Sequence, residues 1–451
     1  MSLAATPARR AAFEVLRRVF EHDAWADRAF PAAAERHSLE GRERGQALRL
    51  AYGAMQRRGT TDHLAADLSR RAVGSLDAPV VAALRLGLFE ILFSQGADHA
   101  AVDGAVELAK GGMKRGGAKR AAGAGGLVNA VLRRAARERE ALLATLSDDA
   151  PADASVAHSV PEWLAEMWWD ELGAEEARAL LCSLNEPSET AMRVNTLKAD
   201  PAELRSELES AGEPLKVPGT SRNAHKGVLH PAESLVWDGP LGEAALRALG
   251  DGRMFAQSRG AQAVVEVLDP RPGERVLDLC AGPGVKTIAI AARLRGKGEV
   301  VAVEQDLGRA RQIEELSERA GAPNVRVVTA DAAEPRGEQG YDRVLVDPPC
   351  SDLGTLASRP DARWRKDPAT IEPLASVQAM ILDNGIAALK PGGTLVYSTC
   401  TISSRENEAV VGGALAVHAS LEEARRLETR PDRDGTDGFF IAELRKSGAD
   451  G

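Results

Sequence analysis

Several features are scarce or missing in this chain of 451 residues, and each absence excludes a class of protein. No uninterrupted apolar run approaches the length of about 18 residues that spans a bilayer, so we expect no membrane protein. The segment MSLAATPARRAAFEVL carries arginines but no apolar signal core, which predicts a mature cytoplasmic protein. Only four cysteines are present and none has CxxC spacing, which predicts a reducing compartment without a disulfide framework or a metal site.

Charge is unevenly distributed along the chain, whose formal net charge is −9. Residues 1–140 contain 23 Lys and Arg against 16 Asp and Glu, whereas the remainder contains 34 against 50, so only the first part favours an anionic partner. Within it, the segment 111–126 is too rich in glycine to predict a stable helix. We predict either a solvated loop or a flexible arm for a phosphate backbone, with these basic residues: Lys114, Arg115, Lys119 and Arg120.

Three regions of different character follow one another. Residues 1–145 have helical periodicity and predict an all-α domain, with apolar stripes formed by Phe13, Leu16, Phe20, Leu84, Leu88 and Leu92. Residues 155–250 predict a small α+β connecting region, and a polar stretch over 141–160 predicts a linker before it. Residues 251–451 alternate strands and helices, which predicts an α/β domain with a doubly wound, Rossmann-like sheet.

The connecting region begins with helical periodicity at Val160 and turns toward a strand over 191–200. Its large apolar side chains are more typical of a core than of a cofactor site, and we expect four residues to be packed inside: Trp163, Met167, Leu172 and Cys182.

A glycine-rich turn in the third region predicts a nucleoside site. VLDLCAGPGVKT, residues 276–287, is typical of a strand, a turn and a helix, and its glycines allow close approach to a ligand. The turn matches neither the phosphate pattern GxxxxGK[ST] nor the dinucleotide pattern GxGxxG. Glu304 ends the next strand and suits ribose hydroxyls, and Asp331 ends the third and suits an adenine amino group. This combination favours S-adenosylmethionine, although the two acidic residues are also typical of helix N-caps.

Two cysteines follow apolar strands, Cys350 in VLVDPPCS and Cys400 in TLVYSTCT. The fourth and fifth strands of such a sheet lie about 4.8 Å apart, so we expect both thiols to face one pocket with Asp347. Cytosine C5 becomes nucleophilic only after a thiolate adds to C6, and two thiols with a carboxylate supply the groups for that reaction. Inert core cysteines are the alternative interpretation. Methylation of an exocyclic amine is less favoured, since no stacking aromatic residue follows DPP.

The motifs resemble those of one family over almost the whole chain. VLDLCAGPGVKT, VDPPCSDLGT with RPDARWR, YSTCTISSRENE and DGFFIAEL are similar to motifs of the NOL1/Nop2/Sun RNA cytosine-5 methyltransferases. LRLGLFEILF, HAAVDGAVELAK and GLVNAVLRR resemble the NusB-like RNA-binding domain of the bacterial members of this family that act on 16S rRNA. MRVNTLK and MFAQSRGAQ resemble their connecting segment.

This resemblance implies individual roles. Cys400 corresponds to the nucleophile, Cys350 to the cysteine that helps to release the product, and Asp347 to the carboxylate that contacts cofactor and base. The implied cofactor site comprises Cys280, Ala281, Gly282, Pro283, Gly284, Val285, Lys286, Glu304, Asp331 and Asp347. The family usually has CAAPGGKT and an aspartate after the second strand, so Gly282, Val285 and Glu304 depart from its pattern.

The sequence thus predicts S-adenosylmethionine-dependent methylation of C5 of a cytidine in 16S rRNA, with RNA as the partner and neither membrane nor DNA. Two alternatives stay open. One is a cytosine-5 methyltransferase of tRNA or 23S rRNA, and the other is an RNA-binding assembly or antitermination factor whose methyltransferase domain has lapsed.

Overall fold

A computed structural model describes residues 5–113, 117–216, 229, 231–335 and 337–448. The chain forms two compact units. The first comprises Met1–Glu186 and Arg359–Lys366, and the second comprises Pro187–Ser358 and Asp367–Gly451. The chain therefore leaves the second unit for a short segment and then returns to it.

The described residues of the first unit form helices joined by loops, without a strand. Its α-helices are α1 (Pro7–Glu21), α2 (Ala26–Arg36), α3 (Gly41–Gln56), α4 (Arg58–Ser69), α5 (Ala78–Phe93), α6 (Asp98–Gly112), α7 (Ala118–Arg137), α8 (Arg139–Ala144), α9 (Pro151–His158), α10 (Glu162–Leu172) and α11 (Ala174–Ser183). Both predicted apolar stripes are confirmed, since Leu16 and Leu88 are fully buried in one core against which Phe20 packs. In the described part of the chain, no helix has the length and apolar character needed to cross a bilayer.

The predicted glycine-rich loop is wrong over most of its length. Helix α7 begins at Ala118 and continues through the glycines of the segment, while Lys114 and Arg115 lie outside the described residues. Packing explains the helix: Val128 and Leu132 are fully buried, and a Cβ at Gly125 would lie 2.4 Å from Lys110 Cε. Close contact between α6 and α7 therefore outweighs the low helix propensity of glycine.

The predicted linker over 141–160 is also wrong, because it contains the end of α8 and all of α9. Helix α9 is held on α4, where Thr60 Oγ1 donates a hydrogen bond to Val156 O at 2.6 Å and Gly59 N donates to Ser159 Oγ at 2.8 Å. Helices α9 to α11 all belong to the first, helical unit.

The expected core of α10 is displaced by one residue. Its fully buried side chains are Leu164, Ala165 and Trp168, whereas three predicted residues are half-buried: Trp163, Met167 and Leu172. The predicted packing of Cys182 is wrong, because this thiol is exposed. Helix α11 buries the opposite side, with Leu180 and Leu181 fully enclosed.

The segment Arg359–Lys366 of the first unit is anchored by a buried arginine. Arg363 is fully buried, and its guanidinium donates to Gln56 O at 3.1 Å, to Asn185 Oδ1 at 3.0 Å and to Leu184 O. Burial lowers the pKa of Arg363 to about 9, which still leaves it cationic at neutral pH. Asp361 Oδ2 accepts from Ala26 N at 2.9 Å. The sequence that follows the Cys350 loop is thus part of the helical unit.

The second unit begins with a small antiparallel sheet, which confirms the change toward a strand at residue 191, although the strand ends at Val194. Its strands are β1 (Thr190–Val194), β2 (Ser234–Trp237) and β3 (Met254–Ala256), in the order β2-β1-β3. Two helices accompany it, α12 (Pro201–Ser210) and α13 (Glu243–Gly250). This is the α+β region expected between the helical domain and the larger sheet.

The larger sheet has seven strands in the order β6-β5-β4-β7-β8-β10-β9. They are β4 (Arg275–Leu279), β5 (Glu299–Glu304), β6 (Val325–Thr329), β7 (Tyr341–Val346), β8 (Leu389–Thr399), β9 (Leu421–Thr429) and β10 (Phe439–Lys446). Strands β4 to β8 pair in parallel, and β10 is antiparallel to β8 and β9. The accompanying helices are α14 (Arg259–Leu268), α15 (Val285–Arg293), α16 (Leu307–Ala320), α17 (Ile371–Ala388), α18 (Glu408–Val417) and α19 (Pro431–Asp434).

Helices cover both faces of this sheet, because successive side chains of a strand point to opposite sides. Leu277 shares one core with Leu382 of α17, whereas the adjacent Val276 shares a second core with Ile288 of α15. The predicted doubly wound fold is confirmed, and its two buried cores fix the position of each strand end.

Candidate active site

The predicted site residues lie at the edge of the sheet where its parallel strands end. Cys280 directly follows β4, Glu304 is the last residue of β5, and Asp331 lies just beyond β6. Asp347 directly follows β7, and Cys400 directly follows β8. Open α/β sheets bind their ligands at this edge.

The two predicted thiols are in contact. Cys350 Sγ lies 3.4 Å from Cys400 Sγ, because β7 and β8 are neighbours in which Val346 pairs with Tyr397. The hydrogen bond with Cys350, together with burial, raises the pKa of Cys400 well above its usual value. This thiol is therefore protonated at neutral pH, and a proton must leave it before or during any nucleophilic attack.

A third polar group at the thiols was not predicted. Asp352 Oδ1 accepts a hydrogen bond from Cys400 Sγ at 3.1 Å and one from Cys350 Sγ at 3.7 Å. The two sulfur atoms and a carboxylate oxygen of Asp352 all lie within 4.8 Å of one another. The signal was available in the sequence, since Asp352 lies two residues after Cys350, but its contact with Cys400 depends on the path of the loop.

Asp347 is held by a cation and a hydroxyl. Lys286 Nζ lies 2.6 Å from Asp347 Oδ2, and Ser398 Oγ donates to Asp347 Oδ1 at 3.0 Å. Burial lowers the pKa of Lys286, but the charge and hydrogen bond of Asp347 outweigh it, so that the pKa is raised. Lys286 is therefore cationic, and it also lies 5.2 Å from the centre of the Phe439 ring.

The glycine-rich turn has the shape of a ligand cradle. Its positive φ angles fall on Cys280 (65°) and Gly284 (102°), whereas Val285 begins α15 with helical geometry, so its β-branched side chain causes no strain. Ala281 is buried and its N–H donates to Val303 O at 2.8 Å, while Pro283 is exposed. Burial raises the pKa of Cys280, which makes this thiol unreactive.

The two acidic residues differ in their surroundings. Glu304 is buried, and its carboxylate accepts from Gly282 N at 3.1 Å and from Asp306 N at 2.9 Å. Asp331 is exposed and accepts from Ala333 N at 2.9 Å. The N-cap of α16 is Asp306 rather than Glu304, so the helix-cap interpretation does not explain Glu304.

Asp278 was missed although it interrupts an apolar strand. It lies within β4, and burial raises its pKa to about 7. The hydrogen bond that Thr287 Oγ1 donates to it at 2.6 Å has the opposite effect and lowers the pKa. A single carboxyl group in the run VLDL was a signal that sequence reasoning could have used.

A buried network beneath the thiols was also missed. Glu406 is fully buried; its carboxylate accepts from Ser351 N at 2.8 Å and from Gln378 Nε2 at 2.9 Å, and its backbone O from Tyr397 OH at 2.6 Å. Ser351 Oγ lies 2.6 Å from Thr401 Oγ1. The loops that carry Cys350 and Cys400 are thus fixed to each other by hydrogen bonds next to both cysteines.

The turn fits the cofactor that the sequence predicts. A Cβ at position 282 would lie 2.3 Å from Glu304 Oε2, so glycine is needed for the turn to reach the carboxylate of β5. A backbone cradle followed by a carboxylate at the next strand end suits a nucleoside with free ribose hydroxyls.

Three family models match three successive regions of the chain. Residues 265–445 match the model of the 16S rRNA methyltransferase RsmB/F family, residues 6–137 match the NusB family, and residues 160–224 match the ferredoxin-like domain of RsmF/B-like methyltransferases.

Individual relatives match over almost the full length. A methyltransferase of Mycobacterium tuberculosis is 34% identical, covering 98% of this chain and 96% of its own. Ribosomal RNA small subunit methyltransferase B of Thermus thermophilus is 34% identical over 92% of both chains. The crystal structure of the protein PH0851 is 26% identical and has a TM-score of 0.80 over 98% of both chains.

These matches confirm the resemblance and the fold class, and the cofactor of this fold and family is S-adenosylmethionine. The NusB match and the family together indicate an RNA substrate. The chain belongs to the RsmB/F family of 16S rRNA methyltransferases, and it is an S-adenosylmethionine-dependent rRNA methyltransferase.

Proposed function

We propose that this protein methylates C5 of a cytidine in 16S rRNA through a covalent bond between Cys400 and C6 of the base. The contact between Cys350 and Cys400, whose sulfur atoms lie 3.4 Å apart at adjacent strand ends, carries the proposal. Methylation of an amine or a hydroxyl requires no thiol, whereas C5 of cytosine must first be activated by addition at C6.

The neighbouring residues support distinct roles. Cys400 adds to C6, and Cys350 assists the elimination that releases the methylated base. Asp347 contacts the base at N3 while Lys286, 2.6 Å away, fixes its position and balances its charge. S-adenosylmethionine, when bound, supplies an electrophilic methyl group, and its site is formed by the glycine-rich turn with Glu304 and Asp331.

The small-subunit assignment follows the names of the relatives, including that of Thermus thermophilus. RNA must present the target outside its stack, since a base inside an A-form helix cannot enter a pocket. Together, Asp347, Cys350 and Cys400 favour an enzyme over a lapsed binding factor. Cytoplasmic localisation stays a prediction of the sequence.

The first unit offers a surface for the RNA backbone. A cavity of about 730 Å³ between α1, α2 and α6 is rich in basic side chains: Arg10, Arg17, Arg18, Arg36, Lys110, His22 and His37. Among the described residues, Arg10, Arg18 and Lys110 have no carboxylate partner, whereas Arg17 pairs with Glu21 at 2.6 Å. Unpaired cations around a cavity suit phosphate groups.

Analysis of the product tests the proposal. Purified protein is incubated with S-adenosylmethionine and with 16S rRNA, 23S rRNA or tRNA, and the RNA is digested to nucleosides for mass spectrometry. We expect 5-methylcytidine in 16S rRNA, at one position in bisulfite mapping. N4-methylcytidine would contradict the proposed chemistry, and 5-methylcytidine confined to tRNA or 23S rRNA would contradict the proposed target. Absence of both product and cofactor binding would favour the lapsed binding factor.

A further inference from the structure

Asp352 is placed to take part in the chemistry of both thiols. Its backbone has φ 55° and ψ 25°, a left-handed conformation that aspartate tolerates better than most residues. This turn immediately follows Ser351 and directs the carboxylate to the sulfur atoms, where Oδ1 lies 3.1 Å from Cys400 Sγ and 3.7 Å from Cys350 Sγ.

Cys400 needs a proton acceptor at this contact. The hydrogen bond with Cys350 and burial raise its pKa, and the charges of Asp352 and Asp347 raise it further. The thiol is thus protonated when RNA arrives, yet the sulfur attacks carbon only as a thiolate. The proton must therefore be transferred as the bond to C6 forms.

The other groups near Cys400 are less suited to accept this proton. The hydrogen bond of Cys400 Sγ goes to Asp352 Oδ1, whereas Asp347 accepts from Lys286 and Ser398. Lys286 is cationic, since Asp347 raises its pKa against the effect of burial. Cys350 Sγ, 3.4 Å from Cys400 Sγ, is needed for the C5 proton later in the reaction.

We propose that Asp352 is the general base that removes the Sγ proton of Cys400 during its addition to the base. This inference rests on the proposed covalent mechanism and adds to it a catalytic residue in contact with the reacting sulfur.

Protons and electrons balance in this reaction. The sulfur electron pair forms the bond to C6 while the proton moves to Asp352 Oδ1. The C5=C6 π electrons form the bond from C5 to the methyl group, whose bond to the cofactor sulfur breaks and leaves its electron pair on that sulfur. Cys350, once it has given its own proton to solvent, takes the C5 proton, and the C5–H electron pair re-forms the C5=C6 bond. The bond between the Cys400 sulfur and C6 breaks at the same time, and its electron pair returns to Cys400. That sulfur regains its proton from Asp352, so that the one proton released overall is the proton that Cys350 gave to solvent.

Two substitutions remove the base without straining the loop. Asp352→Asn keeps the size of the side chain, and Asp352→Gly removes the side chain. Asparagine and glycine both tolerate the φ of 55° found at this position. We expect each variant to lose at least about 100-fold in kcat at about pH 7.5, as is typical when a general base is removed. The matched control is Asp383→Asn, which changes an exposed carboxylate that pairs with His418 at 3.0 Å.

A second measurement separates base catalysis from electrostatics. The charge of Asp352 raises the pKa of Cys400, so Asp352→Asn should make Cys400 react faster with iodoacetamide, as measured on its own peptide by mass spectrometry. A purely electrostatic role then predicts faster methylation, whereas the base role predicts slower methylation despite the greater thiolate fraction. The loss of methylation rate in Asp352→Asn should become smaller as pH rises toward the pKa of the Cys400 thiol. Added formate should restore part of the methylation rate of Asp352→Gly.

All assays contain EDTA, so that no metal ion occupies the two thiols, and cofactor affinity together with thermal stability verifies that each variant is folded. Formation of 5-methylcytidine by the unchanged protein tests the proposed function separately. If that product forms and Asp352→Asn retains its rate, the role of Asp352 is refuted while the function stands. An unfolded Asp352→Asn leaves the decision to formate rescue of Asp352→Gly, where no response to formate would overturn the proposal.

Discussion

Asp278 shows what one buried carboxyl group does to this protein. It is 1% exposed, and burial raises its pKa from 3.8 to about 7, while Thr287 and Lys286 lower it and Asp347 and Glu304 raise it. Between about pH 4 and pH 7 the folded protein therefore retains a proton that the unfolded chain has released. The free energy of unfolding falls as pH rises through this window, by up to about 4 kcal/mol for roughly three pKa units.

Replacing Asp278 with asparagine should remove this dependence, because the amide keeps an oxygen that can accept from Thr287. We expect the stability of Asp278→Asn relative to the unchanged protein to rise by a few kcal/mol between about pH 4.5 and pH 8, at about 1.4 kcal/mol per pKa unit. Urea unfolding without cofactor measures it, followed on the second unit, since the two units need not unfold together. A difference that stays constant with pH would refute the assigned titration.

The sequence predicted the positions of some site residues but not of others. Asp347 and Cys400 follow long apolar strands directly, so strand order alone brings them to one edge. Asp352 and Glu406 depend on the path of irregular loops, and no periodic pattern indicates which side chains such loops bring together. The roles assigned to the individual site residues stay predictions.

At the scale of helices and strands, contacts with neighbouring helices explain two helices that local sequence propensity did not predict. Helix α7 forms despite its glycines because small residues allow close contact with α6, and α9 forms because α4 supplies hydrogen-bond partners for Val156 and Ser159. Both effects require knowledge of the neighbouring helix. Strands with long apolar runs needed no such knowledge, which is why the strands around the site, and the pairing of the fourth with the fifth, were predicted and these two helices were not.

The cavity between α1, α2 and α6 gives the helical unit a testable function. Replacing Arg10, Arg18 and Lys110 with alanine should weaken RNA binding and reduce the log–log salt slope by about 0.7 for each phosphate group that is no longer neutralised, or about 2 for all three. Filter binding at several salt concentrations measures the slope. A control with the same charge change replaces three exposed arginines: Arg28, Arg70 and Arg71. Equal slopes for both variants would show that the cavity does not bind the backbone.

At the scale of the whole molecule, the order of regions was predicted while the assignment of segments to units was not. The chain passes from helices through a small antiparallel sheet to a doubly wound sheet, as the sequence indicated. The segment Arg359–Lys366 nevertheless belongs to the helical unit, where Arg363 is fully buried. A buried arginine with carbonyl partners far away in sequence has no local signature, so sequence patterns could not reveal it.

The covalent mechanism is the central claim, and trapping of the protein–RNA adduct tests it most directly. Labelled 16S rRNA and S-adenosylmethionine are incubated with three variants, Cys400→Ala, Cys350→Ala and the exposed-thiol control Cys182→Ala, and analysed by denaturing gel electrophoresis. We predict a slowly migrating protein–RNA band for Cys350→Ala, which can add but not release. Cys400→Ala should give no band and no methylation, and Cys182→Ala should methylate normally. A band for Cys400→Ala alone would exchange the two roles, and full methylation without a band in both site variants would contradict the thiol mechanism.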